Sequence, residues 1–196
     1  MDKNNHSVIA QRIQDSISIK SLLLENKETI STINSVANIL IQAFKQNKKV
    51  WFCGNGGSAA DAQHIAAELS GRYLFDRPPL PAEALHVNSS YLTAVANDYG
   101  FDEVYARLID AMGKKGDVLV GISTSGNSKN VINAFEKAKG KGLTIVAMTG
   151  NKISKMAELS HYCIRVPSTE TPRIQEAHIM IGHILCEIIE DVLFKK

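Results

Sequence analysis

Two stretches of the chain combine glycines, hydroxyls and amides in a way that suits an anion. The first reads Cys53-Gly54-Asn55-Gly56-Gly57-Ser58-Ala59-Ala60 and the second Ile122-Ser123-Thr124-Ser125-Gly126-Asn127-Ser128. Each follows a short apolar run and precedes a stretch of helical periodicity. Glycines let the backbone come close to an anion, and a helix N-terminus aims N–H groups at it. The first loop is ambiguous alone, because glycines there also serve a tight turn. Gly54, Gly56 and Ala59 fit the loose G-x-G-x-x-G/A dinucleotide pattern, but the next expected strand ends at Val87-Asn88 with no acidic ribose ligand. No Lys-Ser or Lys-Thr closes the loop, so the nucleoside-triphosphate version fails too. In the second loop one hydroxyl is expected to cap the helix. Four hydroxyls, from Ser123, Thr124, Ser125 and Ser128, exceed what a cap needs and can surround a phosphate monoester without lysine or magnesium.

A second constellation lies on two helices. His64 and Glu68 are four residues apart and so face one side, with Arg72 a further turn along. Gln175 and His183 are eight apart, about 80° around a helix of 3.6 residues per turn. Two imidazoles, a carboxylate and a carboxamide make a set of nitrogen and oxygen donors for a divalent metal such as zinc. Each member also has an ordinary reading: a solvated ion pair for His64 and Glu68, a polar residue at the rim of a core for His183.

Residues so scattered need a rigid frame. Short β-rich runs at Val50 to Cys53, Ala84 to Val87, Val118 to Ile122, Leu143 to Met148 and Cys163 to Val166 alternate with helical stretches such as Ser58 to Gly71 and Lys129 to Lys139. Apolar strands alternating with helices predict an α/β fold, a doubly wound, flavodoxin-like five-stranded parallel sheet covered on both faces. Ligands then sit beyond the carboxyl ends of the strands, at the loops after strands one and four. A last helix over Pro172 to Phe194 carries Ile174, Ile181, Leu185, Ile188 and Val192 on an apolar stripe. Before the first strand, Ile9, Ile13, Ile17, Leu23, Leu24, Ile33, Val36, Leu40 and Ala43 recur at helical spacing, predicting two helices broken near Asn26. Five strands and their crossovers close a core without this N-terminal helical arm, residues 1–47. Its stripes are therefore expected to meet another subunit rather than the core, residues 48–196, of the same single domain.

The 196 residues carry 22 Lys and Arg against 20 Asp and Glu, a net charge of +2 that argues against broad capture of nucleic acid or an anionic membrane. With 44% hydrophobic and 21% charged residues, the composition excludes disordered, collagen-like and disulfide-miniprotein classes. Cys53, Cys163 and Cys186 are odd in number and lack C-x-x-C spacing, the pattern of reduced thiols in a cytoplasmic protein. The polar opening Met1 to His6 never reaches the apolar core of a secretory signal, and no run approaches membrane-spanning length.

The stretches GNGGSAADAQHIAAELSGRY, AVANDYG, GISTSGNS and RIQEAHIMIGHIL, in this order and over nearly the whole chain, resemble the sugar isomerase (SIS) domain of the bacterial phosphoheptose isomerase family. The resemblance implies a cytoplasmic homotetramer converting sedoheptulose 7-phosphate to D-glycero-D-manno-heptose 7-phosphate through an enediol. That is the first step toward ADP-heptose and the heptose of lipopolysaccharide core. It implies phosphate binding by Ser123, Thr124, Ser125 and Ser128, and a first loop lined by Asn55, Gly56, Gly57 and Ser58. Asn97 and Asp98 would bind sugar hydroxyls, with Arg72 near the site. It implies one zinc per subunit on His64, Glu68, Gln175 and His183, with Glu68 and His183 as the proton-transfer pair. Glu68 and Gln175 thus count as substrate-binding as well. Whether the zinc is catalytic or structural stays open. The chain departs from some relatives at Pro172, where they carry an acidic residue before Arg-Ile-Gln, and the Thr171-Pro172 turn is given no role.

Two rival functions share this fold. One is a non-catalytic SIS protein that binds the replication initiator, and the other is a sugar-phosphate-sensing regulator. The first lacks the acid, base and metal set that Glu68 and His183 anchor here. The second needs a DNA-binding domain, for which the 196 residues offer no helix-turn-helix extension.

Overall fold

Successive residues of a strand point to opposite faces of its sheet, and the first strand already shows two cores. In β1 (Val50–Gly54), Val50 and Phe52 join one apolar cluster while Trp51 and Cys53 join another. The structure, a computed structural model, describes residues 2–195 and the side chains of 5–195. Met1 and Lys196 lie outside the described residues. The other strands are β2 (Ala82–Ala84), β3 (Val118–Ser123), β4 (Thr144–Thr149) and β5 (Tyr162–Arg165), all parallel in the order β2-β1-β3-β4-β5. β1, β3 and nearly all of β4 are buried along their length, as strands covered on both faces must be.

The order reverses direction between β1 and β3, so the crevice of this flavodoxin-like sheet opens beyond the loops that follow those two strands. The expectation for strands one and four is thereby corrected to one and three. The loop after β1 leads into α3 (Gly57–Ser70) and the loop after β3 into α6 (Lys129–Lys141). Both glycine- and serine-rich stretches therefore converge on the crevice.

Helices α4 (Ser89–Tyr99), α5 (Val104–Met112), α6 and α7 (Lys155–Leu159) cover one face, where Tyr105, Ile109, Phe135 and Met156 are buried against Trp51, Leu119 and Ile145. The opposite face is covered by α2 (Lys27–Lys45), α3 and α8 (Thr171–Phe194). There Val36, Leu40 and Phe44 of α2 lie in one cluster with Phe52, Val120, Met148, Ile181 and Leu185. The sheet and its crossovers thus do not close this core by themselves. β5 follows the five-residue α7 on the other face, and α2 covers the ground near β5 that no crossover helix reaches. α1 (Asp2–Glu25) behaves differently, with Val8, Ile9, Ile13, Ile17 and Leu24 about half exposed or more. The break between α1 and α2 is fixed by Asn26, whose Oδ1 accepts the Thr29 N–H at 2.9 Å.

β2 lies two residues earlier than its sequence pattern predicts, because Asn88 is drawn off to cap α4, accepting the Tyr91 N–H at 3.0 Å. Val87 is half exposed as a result.

Candidate active site

The two loops are joined before any ligand is considered. Asn55 and Asn130 exchange reciprocal side-chain amide hydrogen bonds of 2.9 Å, tying the first loop to the first turn of α6. Behind them the buried Tyr105 hydroxyl donates to the Gly54 carbonyl at 2.5 Å. Gly54 itself is required by close approach, since a Cβ there would sit 2.5 Å from the Ser58 carbonyl oxygen. Gly56 turns the chain at φ +54°, a left-handed conformation that suits glycine.

The loop after β3 orders its hydroxyls around Ser123. Its Oγ lies 2.8 Å from Ser128 Oγ and 3.3 Å from Ser125 Oγ, and it accepts the Gly126 N–H at 3.2 Å. Ser128 occupies the N-cap of α6 but makes no side-chain cap bond, and Gly56 at the N-cap of α3 has no side chain to offer. No hydroxyl serves as the expected cap, so both helix N-termini face the crevice uncapped. The result is a cleft of about 360 Å³ lined by Asn55, Gly56, Gly57, Ser58, Ser123, Thr124, Ser125, Ser128, Thr171 and Gln175. Among the described residues no lysine or arginine lines it, so its binding power lies in hydroxyls, amides and two helix dipoles.

Further along α3 stands a second group. His64 Nε2 lies 3.1 Å from Glu68 Oε1 and 3.1 Å from His183 Nε2 of α8, and one ligand atom from each of the three falls within 4.8 Å of the others. The Tyr73 ring stacks on His183 with centroids 5.7 Å apart. Gln175, the fourth expected donor, is elsewhere. It stands eight residues before His183 on one helix, about 12 Å along the axis at 1.5 Å per residue, with its carboxamide against Gly57 in the cleft.

Of the remaining expected residues, Arg72 is exposed beyond the end of α3, and Asn97 and Asp98 are exposed on α4. Asn97 Nδ2 donates to Asp98 Oδ1 at 2.9 Å, and none of the three lines the cleft. The structure adds residues that spacing did not flag. Thr171 reaches the cleft although its turn was given no role. Asp61, one turn before His64, has an Oδ2 with no partner among the described residues, and burial pushes its carboxyl up to about 6 against the pull of His64. His178 of α8 is fully buried with its Nε2 3.3 Å from the Thr149 carbonyl, and burial lowers it to about 4 despite that bond. The carbonyl only accepts, so His178 is the neutral Nε2–H tautomer. Burial also pushes the Cys53 thiol up, and Cys186 up to about 12, which leaves both as inert core residues.

A parallel α/β sheet with a hydroxyl-lined cleft at its switch point defines a class of α/β proteins suited to a phosphate group. A family model described as the SIS domain matches residues 17–150. The chain is 52% identical over 186 residues to the phosphoheptose isomerase of Sulfurimonas denitrificans, covering 95% of each, and 50% identical over 187 residues to that of Aneurinibacillus thermoaerophilus, covering 95% and 94%. The solved phosphoheptose isomerase of Neisseria gonorrhoeae superposes with a TM-score of 0.89 at 40% identity, covering 95% of this chain and 98% of that one. The chain belongs to the phosphoheptose isomerase family of SIS-domain proteins.

Proposed function

We propose that the chain interconverts sedoheptulose 7-phosphate, a 2-ketose, with the aldose D-glycero-D-manno-heptose 7-phosphate, the entry to heptose biosynthesis. The observation that carries this reading is the placement of two unlike sites along one helix. The phosphate cleft lies at the start of α3, and the His64, Glu68 and His183 group begins seven residues on, about 10 Å at 1.5 Å per residue. That distance is comparable to an extended seven-carbon chain with phosphate at one end and the carbonyl at the other. In this reading Ser123, Thr124, Ser125 and Ser128 hold the phosphate, with Asn55, Gly56, Gly57, Ser58, Thr171 and Gln175 completing the cleft. Glu68 takes the C1 proton, giving an enediol between C1 and C2. His183, on the facing helix, delivers a proton to C2, while the O1 proton is given up and O2 gains one, so the exchange balances. General acid–base catalysis of this type contributes about 10² to 10⁴-fold in rate.

A divalent metal fits the same group. Two of the three donor separations, His64 to Glu68 and His64 to His183, are 3.1 Å, near the roughly 3.3 Å edge of a tetrahedron with 2.0–2.1 Å zinc bonds, and all three atoms lie within 4.8 Å of one another. His64 and His183 through Nε2 and Glu68 through one oxygen would hold one zinc per subunit, with Gln175 the fourth donor the resemblance implies, and the proton transfers would then use the second Glu68 oxygen and His183 Nδ1. Bound there, the ion would polarise the substrate's oxygens as a Lewis acid. The assignment of Arg72, Asn97 and Asp98 to the sugar rests on the resemblance alone.

The half-exposed apolar stripe of α1 supports a homotetramer, together with a groove of about 600 Å³ lined by residues such as Leu24, Ile30, Ile33, Met180, Ile184 and Ile188. No helix among the described residues is long and apolar enough to cross a membrane. A phosphorylated substrate and three unpaired cysteines support a cytoplasmic site of action. A non-catalytic role in binding the replication initiator would leave the His64, Glu68 and His183 group without work. Turnover of sedoheptulose 7-phosphate, with none of unphosphorylated sedoheptulose at equal concentration, tests the reading. Equal turnover of both would contradict the role of the cleft.

A further inference from the structure

The buried pair Arg77 and Glu190 lies outside every feature used so far, yet one of its hydrogen bonds ends on the Glu68 carbonyl and another on the backbone of Tyr73, whose ring stacks on His183. Both side chains are 1% exposed, and Arg77 Nε donates to Glu190 Oε1 at 3.0 Å. Arg77 spends its other donors on the last turn of α3 and the chain after it. Nη2 donates to the Glu68 carbonyl at 2.8 Å, and Nη1 donates to the carbonyls of Leu69 at 2.8 Å and Gly71 at 3.0 Å. An arginine fork thus caps the helix end from which Glu68 projects. Glu190 acts on the other partner. It is seven residues, two helical turns, beyond His183 on α8, and its carboxylate accepts the Tyr73 N–H at 3.0 Å and the Leu74 N–H at 2.7 Å. The Tyr73 ring is the one stacked on His183.

We infer that Arg77 and Glu190 are positioning residues for the isomerisation, setting the distance and orientation between Glu68 on α3 and His183 on α8. The inference rests on the proposed roles of those two residues. The capped turn carries Glu68, and the anchored Tyr73 backbone carries the ring against His183, so the bonds that satisfy these backbone groups also fix both side chains. Truncation of either partner would strand a buried charge and several backbone groups at once, so the pair holds the end of α3 and the Tyr73 backbone in one fixed arrangement.

Glu190→Gln tests this in two backgrounds. In the otherwise native protein, kcat falls about 10-fold or more while KM stays within about 3-fold, because the lost interaction concerns the reacting end and not the phosphate. In a Glu68→Gln background the same substitution changes the residual rate less than about 2-fold, since a residue acting through Glu68 has nothing left to position. Equal factors in both backgrounds, or a lowered melting temperature with kcat intact, overturn the inference. Full turnover by Glu68→Gln alone would refute the base assignment separately. The decision then passes to Zn²⁺ binding measured by titration, which Glu190→Gln weakens about 10-fold if the pair positions the group and leaves unchanged if it does not. Should the unpaired Arg77 charge prevent folding, Tyr73→Leu, which keeps the backbone N–H to Glu190, takes its place and lowers kcat several-fold. An unchanged kcat in that variant overturns the inference as well.

Discussion

Single residues divide the labour of the site, and their replacement separates binding from chemistry. Glu68→Gln puts a carboxamide of the same shape in place of the carboxylate and leaves phosphate binding intact while turnover falls by about 10² to 10⁴-fold; a rate within 10-fold of native would remove Glu68 from catalysis. Ser123→Ala, at the centre of the hydroxyl cluster, raises KM with little effect on kcat if the phosphate is held equally in ground and transition states. A kcat defect at unchanged KM would contradict that. His178 carries a pH signature. Its folded value of about 4 lies below its ordinary 6.5, so its contribution is complete above about pH 6.5 and is lost as pH falls toward 4. The raised Asp61 value runs the other way over nearly the same window, favouring the fold at low pH and losing that as pH rises to about 6. The two offset each other in the native profile. The stability difference between native protein and His178→Leu should therefore grow by about 3 kcal/mol from pH 4 to 7, measured by urea unfolding, and a difference flat in pH would refute it. At this scale the sequence was informative about chemistry that is local. The four hydroxyls sit together because they share one loop, and His64 and Glu68 because they share one turn. Gln175 shows the limit, since angular spacing on a helix says nothing of the axial distance that parts it from His183.

At the scale of elements, the site exists because two strand-to-helix loops meet where the strand order reverses. Gly54 holds that meeting point. Its replacement by alanine puts a Cβ 2.5 Å from the Ser58 carbonyl oxygen and 2.9 Å from that of Ile122, both backbone atoms with little freedom to yield. Gly54→Ala should cost about 1–3 kcal/mol and raise KM, read by thermal melting and steady-state kinetics; native values in both would mean the loop is looser than it stands. The strands and the flanking helices α3, α6 and α8 were legible because apolar runs and glycine or serine punctuation are local signals. The sequence pattern for β2 runs late because a three-residue edge strand carries almost no pattern and the following Asn88 belongs to a helix cap. The role of α2 was missed for a different reason. Its stripe predicts a helix but not its partner, and only the short α7 explains why part of the sheet lies open to it. The Arg77 and Glu190 pair, 113 residues apart in the chain, was likewise beyond any spacing rule.

The whole molecule presents a sheet finished on both faces and one helix, α1, whose apolar residues remain half exposed. A second copy is the proposed cover. Ile13→Glu and Ile17→Glu together should shift the protein to smaller assemblies by light scattering, with the secondary structure retained; an unchanged mass would show that α1 is not the contact. Removal of bound metal by a chelator should lower turnover, and Zn²⁺ should restore it, if His64, Glu68 and His183 act on the substrate through an ion. The site is arranged to take a proton from C1 and return one to C2 of a seven-carbon ketose phosphate. Proton NMR of the purified protein with sedoheptulose 7-phosphate in D₂O tests it most directly. New aldose anomeric signals, with loss of proton intensity at the exchanging carbons, are expected. A silent spectrum from folded, zinc-supplied protein would contradict it.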